Sequence, residues 1–368
     1  MLKVIIVVGA RPNFMKAAPL VEAMKRRKQE FAPLLVHTGQ HYDQMMSDVF
    51  LKDLDLPRPD VSLEVGSDSP VAQTAAVMQK FEPIVANEEP DWVVVVGDVN
   101  STLAGALTAV ELGVKVAHVE AGLRSRDRSM PEEINRLLTD QIADLLFTPS
   151  EDANENLLAE GIPRQRILLV GNVMIDSLNK YLEKAQSSTI RTILGLGDSE
   201  YAVVTLHRPS NVDNRETLSG IIGALGEIAN RIPVVFPVHP RTKKTIAEFG
   251  LTEKVAAIPN LKIIEPLGYL DFLALYSNAR LVLTDSGGIQ EETTVLGIPC
   301  LTLRENTERP ITVTAGTNVI VGTSPDKITK AAITCLESPL KITPRQIPFW
   351  DGHTADRILD ALVAAGSA

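Results

Sequence analysis

Leu281-Val282-Leu283-Thr284-Asp285-Ser286-Gly287-Gly288-Ile289-Gln290-Glu291-Glu292 is an apolar strand that breaks at a serine and two glycines and restarts as a helix. Glycines at such a junction let backbone N–H groups close on an anion at the positive end of the helix dipole. Carboxylates one turn later disfavour a phosphate, so they suit the hydroxyls of something attached to it, such as a ribose or another sugar. A nucleotide site is one reading. A tight strand-to-helix turn with an acidic first turn is the other.

The same alternation runs outward along the whole chain. Short apolar runs at 2–8, 32–37, 92–97, 114–119, 144–148 and 166–170, then at 201–206, 232–237, 261–264, 280–284 and 299–302, read as strands, each followed by a helix-compatible stretch. Runs this continuous are buried on both faces, which predicts parallel sheets with right-handed helical crossovers. The fold class is therefore α/β, with two Rossmann-like doubly wound domains. We expect an N-terminal domain over 1–173, a linker over 174–198 and a C-terminal nucleotide-binding domain over 199–351. Ligands of such folds lie beyond the carboxyl ends of the strands, so the loops after strands should carry the chemistry.

Composition narrows the function. The 368 residues carry 36 Lys plus Arg against 46 Asp plus Glu, a net charge of −10, which argues against nucleic acid or an anionic membrane as main partner. Cys300 and Cys335 stand in no metal or redox spacing and read as small hydrophobes in a reducing cytosol. The opening Met1-Leu2-Lys3-Val4-Ile5-Ile6-Val7-Val8 reads as a first strand rather than a leader, and no run approaches a membrane span.

Several strand ends carry chemistry. Gly9-Ala10-Arg11-Pro12-Asn13-Phe14-Met15-Lys16 sets two cations near one helix start, which suits an anion between them or a solvated basic turn. Asp98 follows the strand at 92–97, as a cap or as a functional acid. Glu120 ends the next strand, in Val119-Glu120-Ala121-Gly122, beside Asp98 by neighbouring-strand logic. Two converging carboxylates repel, which raises one pKa and separates an acid from a base. His118 reads as a satisfied core histidine. In Met130-Pro131-Glu132-Glu133-Ile134-Asn135-Arg136 only one of the adjacent glutamates can face a ligand, and Arg136 can pair with Glu132. His207-Arg208 and His239 end strands of the second half and suit proton transfer or loop anchoring.

The chain lacks G-x-G-x-x-G, Gly-Lys-Ser/Thr and G-x-S-x-G. Carboxylates and a histidine beside phosphate-gripping turns remain, a set that suits proton transfer at a carbon of a nucleotide-linked sugar.

Gly9-Ala10-Arg11-Pro12, Gly97-Asp98, His118-Val119-Glu120-Ala121-Gly122-Leu123-Arg124, Pro131-Glu132-Glu133-Ile134-Asn135-Arg136, Thr205-Leu206-His207-Arg208, Thr284 to Glu292 and Thr307-Glu308-Arg309-Pro310 together closely resemble the non-hydrolysing UDP-N-acetylglucosamine 2-epimerases. The resemblance implies a glycosyltransferase-B type fold with the active site in the interdomain cleft, and a last helix, 352–368, that joins the first domain. It also implies interconversion of UDP-N-acetylglucosamine and UDP-N-acetylmannosamine with no cofactor and no metal, in a cytoplasmic homodimer that serves polysaccharide synthesis. Asp98, Glu120, Glu132 and His207 would form the acid–base and oxocarbenium-stabilising set. Ser286, Gly287 and Gly288 would hold the diphosphate, Glu292 the ribose and Phe272 the uracil, with Arg11, Lys16 and Arg309 supplying positive charge to the leaving group. Gln40 and His41 match one side of a second, activating UDP-sugar site, but Pro209 and Ser210 follow His207-Arg208 where a further basic residue is common, so weak or absent cooperativity is expected.

Rival readings are a 2-epimerase of UDP-2,3-diacetamido-glucuronic acid, a UDP-sugar glycosyltransferase of the same fold, a hydrolysing epimerase and a nucleotide-sugar sensor. The Gly9 to Phe14 stretch also resembles the first of these, whereas Glu308-Arg309-Pro310 resembles the N-acetylglucosamine branch.

Overall fold

Strands such as Trp92-Val93-Val94-Val95-Val96, apolar at every position, can be satisfied only by burial on both faces, and the computed structural model places all five side chains in a core. The structure describes residues 1–39, 58–338 and 346–366, and of Arg11 the backbone alone. The chain divides into two units, Met1–Asn179 with Ile347–Ala368, and Lys180–Gln346.

The first unit is built on seven parallel strands, β1 (Leu2–Val8), β2 (Phe31–His37), β3 (Val61–Ser62), β4 (Trp92–Val96), β5 (Lys115–Val119), β6 (Leu145–Thr148) and β7 (Ile167–Leu169). Their order in the sheet is β3-β2-β1-β4-β5-β6-β7, so the direction of winding reverses between β1 and β4. The second unit repeats the scheme with β8 (Ala202–Thr205), β9 (Val234–Pro237), β10 (Leu261–Ile264), β11 (Leu281–Thr284), β12 (Cys300–Thr302) and β13 (Asn318–Ile320). Its order is β10-β9-β8-β11-β12-β13, and its winding reverses between β8 and β11. In doubly wound sheets that reversal opens a crevice at the carboxyl ends of the two strands, where a ligand fits.

The eleven strands expected from the apolar runs are all present, shifted by at most two residues at an end. The additional β3 and β13 are edge strands of two and three residues, too short and too polar to stand out as an apolar run. The segment expected as a linker is mostly helical, Val173–Gln186 followed by Ile190–Ile193, and the units meet within the longer helix rather than at a loop. The last helix, Thr354–Gly366, belongs to the first unit. Asp176 receives the N–H groups of Thr354 (3.2 Å) and Ala355 (2.8 Å) at its positive end, and Arg27 donates to Asp360 at 2.6 Å along its length. Among the described residues no helix is long and apolar enough to cross a membrane. Cys300 is fully buried, and burial pushes its thiol up to about 12, so it offers no thiolate.

Candidate active site

The reversal in the first sheet places the turns after β1, β4 and β5 side by side. β4 and β5 run in register, with Val96 opposite Val119, and the Gly97 N–H donates to Val119 O at 3.0 Å, so Gly97-Asp98 and Glu120 leave the sheet at the same level. Both chains turn through the left-handed region there, Gly97 at φ 70° and Glu120 at φ 71°. Glycine adopts that conformation freely. A glutamate in it holds strain of order 1–3 kcal/mol that the surroundings must enforce, and here the N–H groups of Glu120 and Ala121 both donate to Phe147 O at 3.1 Å.

Asp98 and Glu120 are each paired with a cation. The Lys16 ammonium meets the Glu120 carboxylate, with both side chains less than a tenth exposed. Lys16 therefore has a carboxylate as its anion, and a Cβ added at Gly97 would lie 3.1 Å from its Nζ. Asp98 is paired with Arg136, whose other nitrogen donates to Glu133 at 2.9 Å. Arg136 thus engages both Glu133 and Asp98. Glu133 also accepts from Ser125 N–H (2.8 Å), Ser125 Oγ (2.9 Å) and Arg126 N–H (3.0 Å), which makes it the buried, loop-holding member of the glutamate pair. Glu132 is the half-buried one. Asn135 donates to Asp98 O at 2.9 Å.

Two further side chains lock these turns. Asn13 accepts from Ala10 N–H (2.9 Å) and donates to Val96 O (2.8 Å), tying the turn after β1 to the end of β4. His118 is fully buried, with Nδ1 2.6 Å from Asp140 and Nε2 2.8 Å from Gly97 O. Burial alone would raise the Asp140 carboxyl, but His118 and Arg124 hold it below the usual range. The core role expected for His118 is present, and through Gly97 it supports the strand end that carries Asp98.

In the second unit, Thr205 of β8 faces Thr284 of β11, which brings the residues after both strands together. Asp285, fully buried, receives His207 N–H (2.9 Å), Arg208 N–H (2.9 Å) and Asn211 Nδ2 (3.1 Å), and its other oxygen lies 2.9 Å from His207 Nδ1. Burial pushes this carboxyl up, and the hydrogen bond and charge of His207 with the two backbone N–H groups bring it below its ordinary value. A carboxylate on Nδ1 fixes the tautomer and ring orientation and leaves Nε2 to exchange protons. His239 lies with its ring 5.9 Å from that of His207, and its Nδ1 accepts from Arg241 N–H at 3.2 Å, the loop-anchoring alternative of the two expected for it.

Ser286 then opens helix Gly287–Leu296. Serine is a preferred N-cap because its oxygen normally accepts a helix N–H, yet the Ser286 side chain makes no cap hydrogen bond. A Cβ at Gly287 would lie 2.4 Å from Arg309 Nη1, so a larger residue there would have to displace that guanidinium. Arg309 itself is held between Glu308 (2.6 Å) and Glu291 (2.7 Å). Glu292 is fully buried under two phenols, with Tyr269 Oη at 2.9 Å and Tyr276 Oη at 2.8 Å. Burial pushes its carboxyl up to about 7, against the pull of both hydrogen bonds. Burial, and then the charge of Glu292, drive both phenols well above their ordinary range. Phe272 lies on the same helix, Tyr269–Tyr276, half-buried, with its ring 5.1 Å from that of Tyr276.

Of the residues singled out by sequence, Asp98, Glu120, Lys16 and Glu132 lie in the first unit, and His207, Ser286, Gly287, Gly288, Glu292, Phe272 and Arg309 in the second. Gln40 and His41 lie outside the described residues, as does the side chain of Arg11, which opens helix Arg11–Arg26. Sequence reasoning gave no role to Asn13, Asp285 or Glu308, nor to Tyr269 and Tyr276. The last two had a usable signal, since residues seven apart on a helix share a face. Among the described residues no group of three or more His, Cys, Asp and Glu could hold a metal ion.

A family model described as UDP-N-acetylglucosamine 2-epimerase matches residues 22–363. The UDP-N-acetylglucosamine 2-epimerase of Methanocaldococcus jannaschii is 44% identical over 366 residues, 98% of this chain and 99% of that protein. The UDP-2,3-diacetamido-2,3-dideoxy-D-glucuronate 2-epimerase of Pseudomonas aeruginosa is 42% identical over 365 residues, again 98% of this chain and 99% of its own. Among solved structures, the Methanocaldococcus jannaschii enzyme in complex with UDP-GlcNAc and UDP superposes with a TM-score of 0.90 at 43% identity, covering 99% of this chain and 100% of that one. The Neisseria meningitidis enzyme bound to UDP-GlcNAc gives a TM-score of 0.89 at 31% identity, with 99% and 100% covered.

Proposed function

The chain belongs to the UDP-N-acetylglucosamine 2-epimerase family, and from that premise we propose that it interconverts UDP-N-acetylglucosamine and UDP-N-acetylmannosamine by eliminating and re-adding UDP. The proton on sugar carbon 2 passes to a protein base while the bond from carbon 1 to the UDP oxygen breaks, leaving a 2-acetamidoglucal and UDP. A proton then returns to carbon 2 on the opposite face and the UDP oxygen re-adds at carbon 1. Nothing is oxidised or reduced, so the reaction needs no redox cofactor.

Asp98, Glu120, Glu132 and His207 form the acid–base and oxocarbenium-stabilising set in this proposal. Lys16 and Arg136, as the partners of Glu120 and Asp98, hold those carboxylates in place at the strand ends. Ser286, Gly287 and Gly288 hold the diphosphate, Glu292 the ribose and Phe272 the uracil. Arg11 and Arg309 stabilise the charge that develops on departing UDP. The observation that carries the reading is the His207–Asp285 pair, which stands at the same strand ends as the uncapped Ser286-Gly287-Gly288 helix start. A proton-transfer group beside a diphosphate cradle suits elimination of a nucleotide better than simple nucleotide binding. We further propose a cytoplasmic homodimer that serves polysaccharide synthesis and responds hyperbolically to substrate, without activation by a second UDP-sugar.

Proton NMR with UDP-N-acetylglucosamine in deuterium oxide tests the reaction. Deuterium at carbon 2 together with UDP-N-acetylmannosamine is expected, and release of free sugar and UDP would place the protein in the hydrolysing class. The nearly equal identity to the diacetamido-glucuronate enzyme supports one second reading, so UDP-2,3-diacetamido-glucuronic acid belongs in the same experiment. Exchange with that substrate alone would transfer the assignment to it.

A further inference from the structure

Glu308 is 1% exposed and stands among three arginines. Arg309 Nη1 donates to its Oε1 at 2.6 Å, Arg304 Nη2 meets its Oε2 at 2.8 Å, and Arg208 Nη2 lies 3.8 Å from its Oε1. Glu291 holds the far edge of Arg309 at Nε, 2.7 Å away. The cluster is packed on the first residue of the phosphate-type helix, since a Cβ at Gly287 would lie 2.4 Å from Arg309 Nη1 and 2.7 Å from Glu308 Oε1. None of this follows from anion binding alone. A carboxylate beside a diphosphate cradle opposes the ligand by Coulomb repulsion, and a guanidinium at a helix N-terminus is disfavoured by the dipole. A buried glutamate there needs a compensating role. Carboxylates on two edges of the Arg309 guanidinium, Glu308 at Nη1 and Glu291 at Nε, restrict a plane that a flexible chain would otherwise sample freely.

We propose that Glu308 is a positioning residue for the leaving diphosphate: it holds Arg309 and Arg304, with Arg208 alongside, at the Ser286–Gly288 helix start, so that positive charge is in place before the nucleotide arrives. The proposal rests on the UDP-sugar reading of this site. Its advantage is preorganisation, because charge fixed beforehand stabilises a developing anion without rearranging during the reaction.

The test is calorimetric titration of the full-length protein with UDP, alongside steady-state kinetics, for the parent, Glu308→Gln and Glu308→Asp. Gln keeps the volume but not the charge, and its UDP dissociation constant is expected to rise by about 10–100-fold, in the range found for residues that orient ligand-binding groups. KM should rise with it and kcat should fall, because the same charge stabilises the anion that develops as UDP departs. Asp, which keeps the charge, should recover part of the affinity. UDP affinity of Glu308→Gln within about twofold of the parent, or tighter than the parent, would overturn the proposal, the latter by showing that Glu308 only opposes the anion. If Glu308→Gln fails to fold, Arg304→Lys keeps the positive charge but loses the planar fork. It should weaken UDP binding by a few-fold, and unchanged affinity would overturn the proposal equally. A parent protein that binds no UDP would instead overturn the functional reading, whereas equal binding by parent and variant removes only the role of Glu308.

Discussion

The strand ends of the two units are built on the same topology and handle charge in opposite ways. After β1, β4 and β5 two carboxylates are matched with cations, Glu120 with Lys16 and Asp98 with Arg136. After β8 and β11 only some carboxylates have that match. Asp285 is held by an imidazole and backbone N–H groups, while Glu292 lies under two phenols and burial pushes its carboxyl up to about 7. The helix starts differ in sequence, since one opens with Arg11-Pro12 and the other follows Ser286 with two glycines and no side-chain cap. A doubly wound sheet therefore decides where chemistry is placed, and the local pairing of each acid decides what it does.

The contrast breaks most readily at Glu120. Glu120→Gln should lower kcat by about 10³-fold, within the usual range for a lost acid–base group, and leave UDP affinity within threefold. Normal turnover together with intact UDP binding would remove Glu120 from the proton-handling set. Asp285→Asn asks whether the second unit also handles protons. A loss in kcat of about 10²-fold is expected, with KM nearly unchanged, because an amide cannot hold His207 in the same tautomer and charge state. A change confined to KM would show that the pair only binds.

Glu292→Gln sharpens the comparison through stability. The folded-state pKa of about 7 lies above the unfolded value near 4.5, so the folded state holds the proton more tightly. Its stabilising contribution is complete below pH 4.5 and is lost as pH rises through 7. The neutral amide removes that loss, so at pH 8 the variant should be more stable than the parent by up to about 3 kcal/mol, with the gap closing by pH 5. Urea titrations at the two pH values measure it, and equal gaps would mean that Glu292 is not held near neutrality. UDP affinity should fall in the same variant. The smallest effect is expected at Lys243–Glu265, an exposed pair, where Lys243→Ala should change stability by less than about 0.5 kcal/mol and activity not at all. A larger cost would show that exposed pairs on this sheet cannot be set apart from the buried ones.

Residues that carry a local signature were legible in the sequence. Apolar runs located the strands, and Gly97-Asp98, Glu120, His207 and Ser286-Gly287-Gly288 declared themselves by standing where a run ends. Partners set by sheet order were not. Asp285 finds His207 only because β8 lies beside β11, and Lys16 finds Glu120 only because the helix after β1 runs by the end of β4, beside β5. The short edge strands β3 and β13 were missed for the same reason, since a two- or three-residue strand is defined by the neighbour it pairs with. Spacing alone did not point to Glu133 and Asp98, which Arg136 engages.

What the sequence by itself determined is the α/β class, the repetition of one scheme along the chain and the strand ends on which chemistry is displayed, because apolar period and glycine placement act over a few residues and are written in order. The tertiary structure alone decided which acid is ion-paired, which is held near neutrality and which orients a histidine. Those states depend on desolvation and on charges a few ångströms away, brought there by strands and helices far apart in the chain.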